Sequence, residues 1–225
     1  MQSVRLVSKI KENQNKLNIF LLPYEDFWYE YQNDNDFDFS TYKKKPKLGQ
    51  KILYVVTNYC KYGNLDYYLN KLRQFQFQFT EDFFWDVIFE MMCGIYYLHS
   101  LGFVHLDIKP TNFLVDENGT IKLTDFCQSR ELNKRTIDCL KDNFTRSSLK
   151  SKSSFNSLNS SKDFSEGDSV YLAPEFFNNY SQINFKTDIF SLGLTIFEII
   201  SGVKLPKNGE IWQKIRAEGL TQDWL

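Results

Sequence analysis

The sequence predicts an α+β fold, and three observations predict it. Strand-like runs come early, apolar stretches of helical period come later, and one short hairpin lies between the two longest of those stretches. Strands are therefore segregated from helices along the chain, unlike the strict alternation of a parallel α/β sheet. The chain has 225 residues, 42% hydrophobic and 24% charged. A single chain of that length buries roughly 70–75% of its unfolded surface, so a true core is available.

Residues 1–20 are polar with sparse apolar positions and read as a helix. LLPYEDFWYE (21–30) and KILYVVTNYC (51–60) read as strands. Between them, QNDNDFDFSTYKKKPKLGQ is acidic, then basic, without periodicity. It reads as a solvated loop, with a docking loop for a charged partner as the alternative. Asn64 is placed to cap a helix over LDYYLNKLRQ, and Thr80 a longer one in which Glu81 and Asp82 sit where the helix dipole favours acids. In that second helix apolar residues recur at 84, 87, 88, 91, 95 and 98, and Gly102 is placed to stop it. Its Met and Phe positions are expected to be core.

FLVDENGTIKL (113–123) reads as two short strands joined by a turn containing Asn118-Gly119. Residues 141–165 are serine-rich and without pattern, and are expected to be disordered. Asp188 is expected to cap a buried helix, IFSLGLTIFEIISG, ending at Gly202. WQKIRAEG then begins an amphipathic helix.

Composition excludes several classes. A net charge of −1 gives no electrostatic case for nucleic acid or a membrane surface. The longest apolar run, 189–200, is short and contains Glu198, so no membrane span is expected. Cysteines at 60, 93, 127 and 139 form no CxxC pair, and MQSVRLVSKIKENQNK is too polar for a signal peptide. An intracellular protein, nuclear or cytoplasmic, is expected.

The chemistry concentrates in HLDIKPTN (105–112) and the hairpin that follows. Folding the hairpin brings Asn112, just before its first strand, beside Asp125, just after its second. An amide oxygen and a carboxylate suit Mg²⁺, which is hard and usually takes one or two carboxylates plus substrate phosphates. Asp107, in the loop feeding the hairpin, is placed to take a proton from an attacking hydroxyl. Lys109 is placed to hold positive charge near a phosphate in transfer, and Pro110 stiffens the loop. A base, a cation and two metal ligands at one hairpin mouth are the parts of phosphoryl transfer.

The conjunction of HLDIKPTN, the hairpin, DFC (125–127), YLAPE (171–175) and TDIFSLG (187–193) resembles a eukaryotic protein kinase. By that resemblance these are the catalytic loop, the metal-binding DFG, the end of the activation segment and the helix after it. The resemblance implies a two-lobe fold with a partial small β lobe and a mostly helical large lobe. Residues 1–60 would be the partial N-terminal lobe, with a loop insertion at 31–50. Residues 61–225 would be an incomplete C-terminal lobe, with a serine-rich activation-segment insertion at 141–165. It implies ATP and Mg²⁺ as cofactors, Asp107 as catalytic base, Lys109 steadying the transferred phosphate, and Asn112 and Asp125 on the metal. Thr57, Asn58, Tyr59 and Cys60 would form the hinge that hydrogen-bonds adenine, with Leu114 beneath the base. Lys109 is of the serine/threonine type. His105 is expected to hold the loop through backbone contacts, His99 to sit at a helix-end surface, and Asp188 to brace the loop.

Three stretches narrow the resemblance to the Wee family, including its Myt-type branch: HLDIKP with Leu106 where most kinases have arginine, EGDSVYLAPE (166–175), and LPKNGEIWQKIRAEG (205–219). The NYC hinge is similar as well. That family phosphorylates an inhibitory tyrosine, and in the Myt type also a neighbouring threonine, on cyclin-dependent kinases. A cyclin-dependent kinase as protein substrate and a monomeric enzyme are thereby implied. Leu106 removes the arginine that would pair with an activation-segment phosphate. The serine-rich insert is then a flexible loop rather than a site of activating phosphorylation, though phosphorylation there to tune docking stays open. EGDSVYLAPE and NGEIWQKIR speak against a stress-responsive or initiation-factor type.

The chain also departs from the pattern. Its first 48 residues contain no glycine, so a glycine-rich phosphate lid is absent, and no VAIK-like strand is found. Lys9 and Lys11 fall where the following helix should begin. At the other end the chain is expected to stop inside the helix after WQKIR. A partial gene model and a degenerate kinase both account for this. The intact Asp107, Lys109, Asn112 and Asp125 favour the first, and Cys127 in place of glycine slightly favours the second. On either account the chain alone is expected to show little kinase activity.

Overall fold

The computed structural model describes Leu6, Lys9 and residues 19–31, 51–132, 168–178 and 183–219. The insertion after residue 31, the serine-rich stretch 141–165 and most of the helix expected over 1–20 lie outside these. Leu6 and Lys9 are helical, and Ile19 and Phe20 form a 3₁₀ turn.

The elements follow the predicted order. β1 (Tyr24–Tyr31) pairs antiparallel with β2 (Lys51–Thr57). Helix α1 (Leu65–Gln74) starts at Asn64, whose side chain accepts from the Tyr67 N–H. Helix α2 (Glu81–Ser100) starts at Thr80, whose hydroxyl accepts from the Phe83 N–H. Both caps fall on the expected residues. β3 is Phe103–Val104, and the hairpin is β4 (Phe113–Val115) with β5 (Ile121–Leu123). β6 (Arg130–Glu131) returns to pair with β3. Short α3 (Glu175–Asn178), α4 (Phe185–Ser201) and α5 (Gly209–Glu218) complete the chain. Among the described residues the strands thus form three two-stranded sheets.

Four expectations are corrected. The second strand ends at Thr57, because the chain then turns so that the Gly63 N–H reaches the Cys60 carbonyl (3.1 Å). Asp188 does not cap α4: Asn184 does, in a capping box with Thr187, and Asp188 lies buried in the first turn. The last helix closes at Glu218, with Gly219 at φ 81°. In α2 the predicted face is buried or half-buried, yet Phe89 and Met92 point outward.

The hairpin is the hub. On one flank Leu21 bridges Leu123, and the Leu22 N–H donates to the Leu123 carbonyl (2.9 Å). On the other, Asn64 bridges Leu114, and the Val115 N–H donates to the Gly63 carbonyl (2.8 Å). From α2, Glu90 accepts the Ile121 N–H at 2.7 Å. The core gathers Met91, Ile95 and Leu98 of α2, Leu65 and Leu69 of α1, Leu192 and Ile199 of α4, and the hairpin's Phe113 and Leu123. Turn geometry follows from Asp116, whose side chain accepts from the Asn118 and Thr120 N–H groups, with Gly119 at φ 84°.

Gly94 is where the 19–22 segment lies on α2. A Cβ there would stand 2.9 Å from the Phe20 carbonyl oxygen. Gly94→Ala should therefore lower stability by about 1–3 kcal/mol through overpacking, although alanine's helix propensity alone favours it by up to about 1 kcal/mol. Urea unfolding reads the sign; a stabilised variant would show that this contact yields freely.

Candidate active site

The loop His105–Asn112 is fixed from below by Asp188, which is fully buried. Its Oδ2 accepts the His105 N–H (2.8 Å), and its Oδ1 accepts the Leu106 N–H (2.9 Å). His99 Nε2 donates to the same Oδ2 at 2.7 Å. His99 is therefore a partner in this bracket, and the expectation of a helix-end surface residue is corrected; its ring also packs on Phe185 at 4.5 Å. A buried carboxylate is costly unless hydrogen-bonded, and these three donors meet that need. The bracket holds Leu106 at φ 66°, a left-handed conformation that leucine rarely adopts. Burial with Val104, Leu172, Phe176 and Ile183 helps to keep it there.

His105 is held on both ring nitrogens. Nδ1 accepts the Asp107 N–H (3.2 Å), so the proton sits on Nε2, which donates to the Thr124 carbonyl (2.9 Å). The ring also meets Phe126 edge-on at 5.5 Å, and Phe126 in turn meets Tyr24 at 6.0 Å. His105 is thus an organiser of the loop, as its expected role requires.

The reactive side chains converge next. Asn112 Nδ2 donates to Asp107 Oδ2 (2.8 Å) and to the Asp107 carbonyl (2.7 Å). Lys109 Nζ lies 2.9 Å from the same Oδ2. The Thr124 N–H donates to the Asn112 carbonyl (2.9 Å), so backbone pairing sets Asp125 next to Asn112 in the fold. Asp125 stands at φ 60° and accepts the Cys127 N–H at 3.3 Å. Asp107 and Asn112 are buried, while Asp125 is exposed at the mouth. The Cys127 thiol is pushed up to about 11 by partial burial, by its hydrogen bond to Asp125 and by the charges of Asp125 and Asp107. It is therefore a neutral thiol near pH 7 and a poor target for oxidation.

The predicted hinge joins the site through backbone. Thr57 ends β2, Asn58 and Tyr59 are exposed, and Cys60 is buried. The chain then runs alongside β4, where Leu114 is half-buried and bridges Asn64. Asp107, Lys109 and Asn112 are thus in direct contact, Asp125 adjoins them, and residues 62–64, just after the predicted hinge, line the neighbouring strand edge at Leu114 and Val115.

The donor set suits a hard cation. Asn112 commits its Nδ2 to Asp107, which turns its Oδ1 away as an oxygen ligand, and Asp125 supplies carboxylate oxygen. Among the described residues no group of three or more His, Cys, Asp or Glu could hold a metal ion. An ion here would rely on this amide, this carboxylate and substrate oxygens.

Two features escaped the sequence reading. One is the pairing of His99 with Asp188. The other is the partner of Glu175, which accepts from the Thr187 hydroxyl (2.7 Å).

Burial lowers the His105 pKa, against the opposing charges of Asp188, Asp107 and Asp125 and the Thr124 carbonyl. As pH falls through about 6.5, the unfolded chain takes up the proton first, so this contribution to stability is present above that pH and lost below it. Urea midpoints should fall from pH 7.5 to pH 5.5. In His105→Gln the fall should be shallower; an equally steep fall would show that another group controls it.

Comparison with known proteins agrees with this geometry. The protein kinase domain family matches residues 39–222. A probable protein kinase of Dictyostelium discoideum is 34% identical over 172 residues, covering 74% of this chain and 22% of that protein. The mitosis inhibitor protein kinase SWE1 of Saccharomyces cerevisiae is 34% identical over 174 residues, 76% of this chain and 18% of that one. The mitosis inhibitor protein kinase wee1 of Schizosaccharomyces pombe is 31% identical over 169 residues, 75% of this chain and 16% of that one. The chain thus spans about a fifth of the length of these relatives. With its Asp188-bracketed loop and hairpin-borne acids in an α+β frame, the chain belongs to the protein kinase domain family.

Proposed function

We propose that the chain works as an ATP-dependent protein kinase of the Wee type, directed at inhibitory phosphorylation of a cyclin-dependent kinase. Residues 1–60 read as part of its small lobe and 61–225 as its large lobe. The observation that carries the reading is the convergence of Asn112 and Lys109 on one oxygen of Asp107, beside Asp125. Similarity to mitosis inhibitor kinases, together with Leu106 and the 166–175 and 205–219 stretches, supports the choice of substrate.

In this reading Asn112 and Asp125 would hold Mg²⁺, which would supply charge neutralisation on the triphosphate when bound. Asp107 accepts the proton of the attacking hydroxyl. Asn112 fixes the rotamer of that carboxylate and leaves its other oxygen to face the substrate. Lys109 balances the Asp107 charge and reaches toward the transferred phosphoryl group. The 57–60 backbone receives adenine against Leu114. A protein hydroxyl is the acceptor, and no nucleic-acid role is assigned. No helix among the described residues is long and apolar enough to cross a membrane.

A second reading is a partner-binding kinase homologue without turnover. Cys127, where the resemblance implies glycine, favours it, as does an outward stripe of Trp85, Phe89, Met92 and Tyr96 on α2.

Thermal shift with Mg·ATP, followed by a transfer assay on a cyclin-dependent kinase, separates the two. At about 100 times Kd, bound nucleotide stabilises the fold by roughly 2.7 kcal/mol. Asp125→Ala should lose most of that shift. Asp107→Asn should keep it and lose transfer, by about 10²–10⁴-fold or more if it is the base. Transfer by the 225-residue chain is expected to be slow, since its first 48 residues contain no glycine. A shift unaffected by Asp125→Ala, or transfer unaffected by Asp107→Asn, would overturn the catalytic reading.

A further inference from the structure

We propose that Arg216 and Trp212, on α5, are positioning residues that clamp the segment 169–172 against the large lobe and so hold the catalytic loop in register. The proposal rests on the kinase reading only for what the segment serves; the clamp itself is read from geometry.

Arg216 spends its guanidinium on backbone carbonyls. Nη2 donates to Ser169 (2.7 Å) and Val170 (2.8 Å), and Nε to Leu172 (3.1 Å). Nη1 donates to the Trp212 carbonyl of its own helix (3.1 Å), which fixes the side chain's direction. Trp212 Nε1 adds a bond to the Ser169 carbonyl (3.1 Å). The guanidinium lies 3.7 Å from the Trp212 ring centroid, and Phe177 closes the stack, edge-on to Trp212 at 5.2 Å. No acid among the described residues pairs with Arg216. A cation placed in the last turn of α5 thus binds another element's carbonyls, which a merely solvated helix-end arginine would not do.

The contacts lead onward to the reactive loop. Leu172, whose carbonyl Arg216 holds, packs on Leu106. Leu106 is held in turn by Asp188 and precedes Asp107. Val170 packs with Leu194, Leu205 and Ile215, and the Tyr171 carbonyl accepts from the Ser191 hydroxyl (2.8 Å). With leucine at 106, the loop offers this segment apolar contact where an arginine would offer charge. The charge comes instead from α5, and it grips carbonyls that are present whatever the modification state of nearby serines. Lysine is a poor substitute, since one ammonium cannot match a planar fork spread over several carbonyls.

Hydrogen–deuterium exchange on the 225-residue chain tests the clamp. Arg216→Ala should speed exchange of the 170–176 amides by about tenfold, as expected for local opening, while 81–100 and 113–123 stay protected. Arg216→Lys should fall between wild type and Arg216→Ala. Trp212→Phe, which keeps a ring but loses the Nε1–H, should show a smaller increase. The Mg·ATP thermal shift should persist in Arg216→Ala, while the KM for the protein substrate rises and that for ATP does not. Unchanged exchange at 170–176 would overturn the proposal. So would equal acceleration throughout the chain, which marks general support of the fold. Exchange is independent of nucleotide chemistry: a wild-type chain that binds no Mg·ATP overturns the kinase reading, whereas protection lost locally in Arg216→Ala still upholds the clamp.

Discussion

The site depends on one buried carboxylate. Asp188 sits in the first turn of α4 and is stripped of water, a placement tolerable only because three N–H donors converge on it. Two of those donors are consecutive backbone amides of the catalytic loop, so the loop's path is dictated by the need to satisfy the acid. The third comes from α2, which ties α2, α4 and the loop at one point. Removing one side of such an arrangement costs about 3–5 kcal/mol when it strands a buried charge. The left-handed turn at Leu106 is the strain this bracket stores, and it aims Asp107 at the hairpin mouth.

The hairpin supplies the second half of the site by backbone pairing alone. Its two strands are only three residues each, too short to stand by themselves. They are stabilised because both outer edges are covered, one by the 19–22 segment and the other by residues 62–64. The same edges link the 57–60 connection to the loop bearing Asn112 and Asp125. Residues 62–64 and the ends of the 113–123 hairpin are therefore coupled through one small sheet, and Glu90 ties that sheet to α2.

The segment 169–175 shows how polar and apolar forces divide the work. Its side chains Val170 and Leu172 enter two separate apolar clusters, while its carbonyls find donors on α4 and α5. Tyr171 carries its hydroxyl to Glu198, which Lys204 also meets at 2.7 Å. Burial together with the Glu198 hydrogen bond and charge raises the Tyr171 pKa strongly, so the phenol stays a donor. Backbone polar groups left by the irregular chain are satisfied from helices, as buried carbonyls require.

Much of this was legible in the sequence. Helix starts at Asn64 and Thr80, the hairpin, and the group Asp107, Lys109, Asn112 and Asp125 follow from local rules of capping, periodicity and turn chemistry, which act over a few residues. The cap at Asn184 was misassigned to Asp188 because both are good capping types, and only burial distinguishes an acid that bonds its own helix from one that bonds a distant loop. Phe89 and Met92 were placed inside, although their helical phase faces outward. The sequence by itself therefore determined the fold class, the order of elements and the gathering of Asp107, Lys109 and Asn112 in one loop, since these are set by neighbours in the chain. Only the tertiary structure decided the pairing of His99 with Asp188, the tautomer of His105, the apolar seat of Leu106 and the grip of Arg216 on residues 44 to 47 positions away. Those depend on which distant donors and acceptors meet once water is excluded, and no local pattern encodes that pairing.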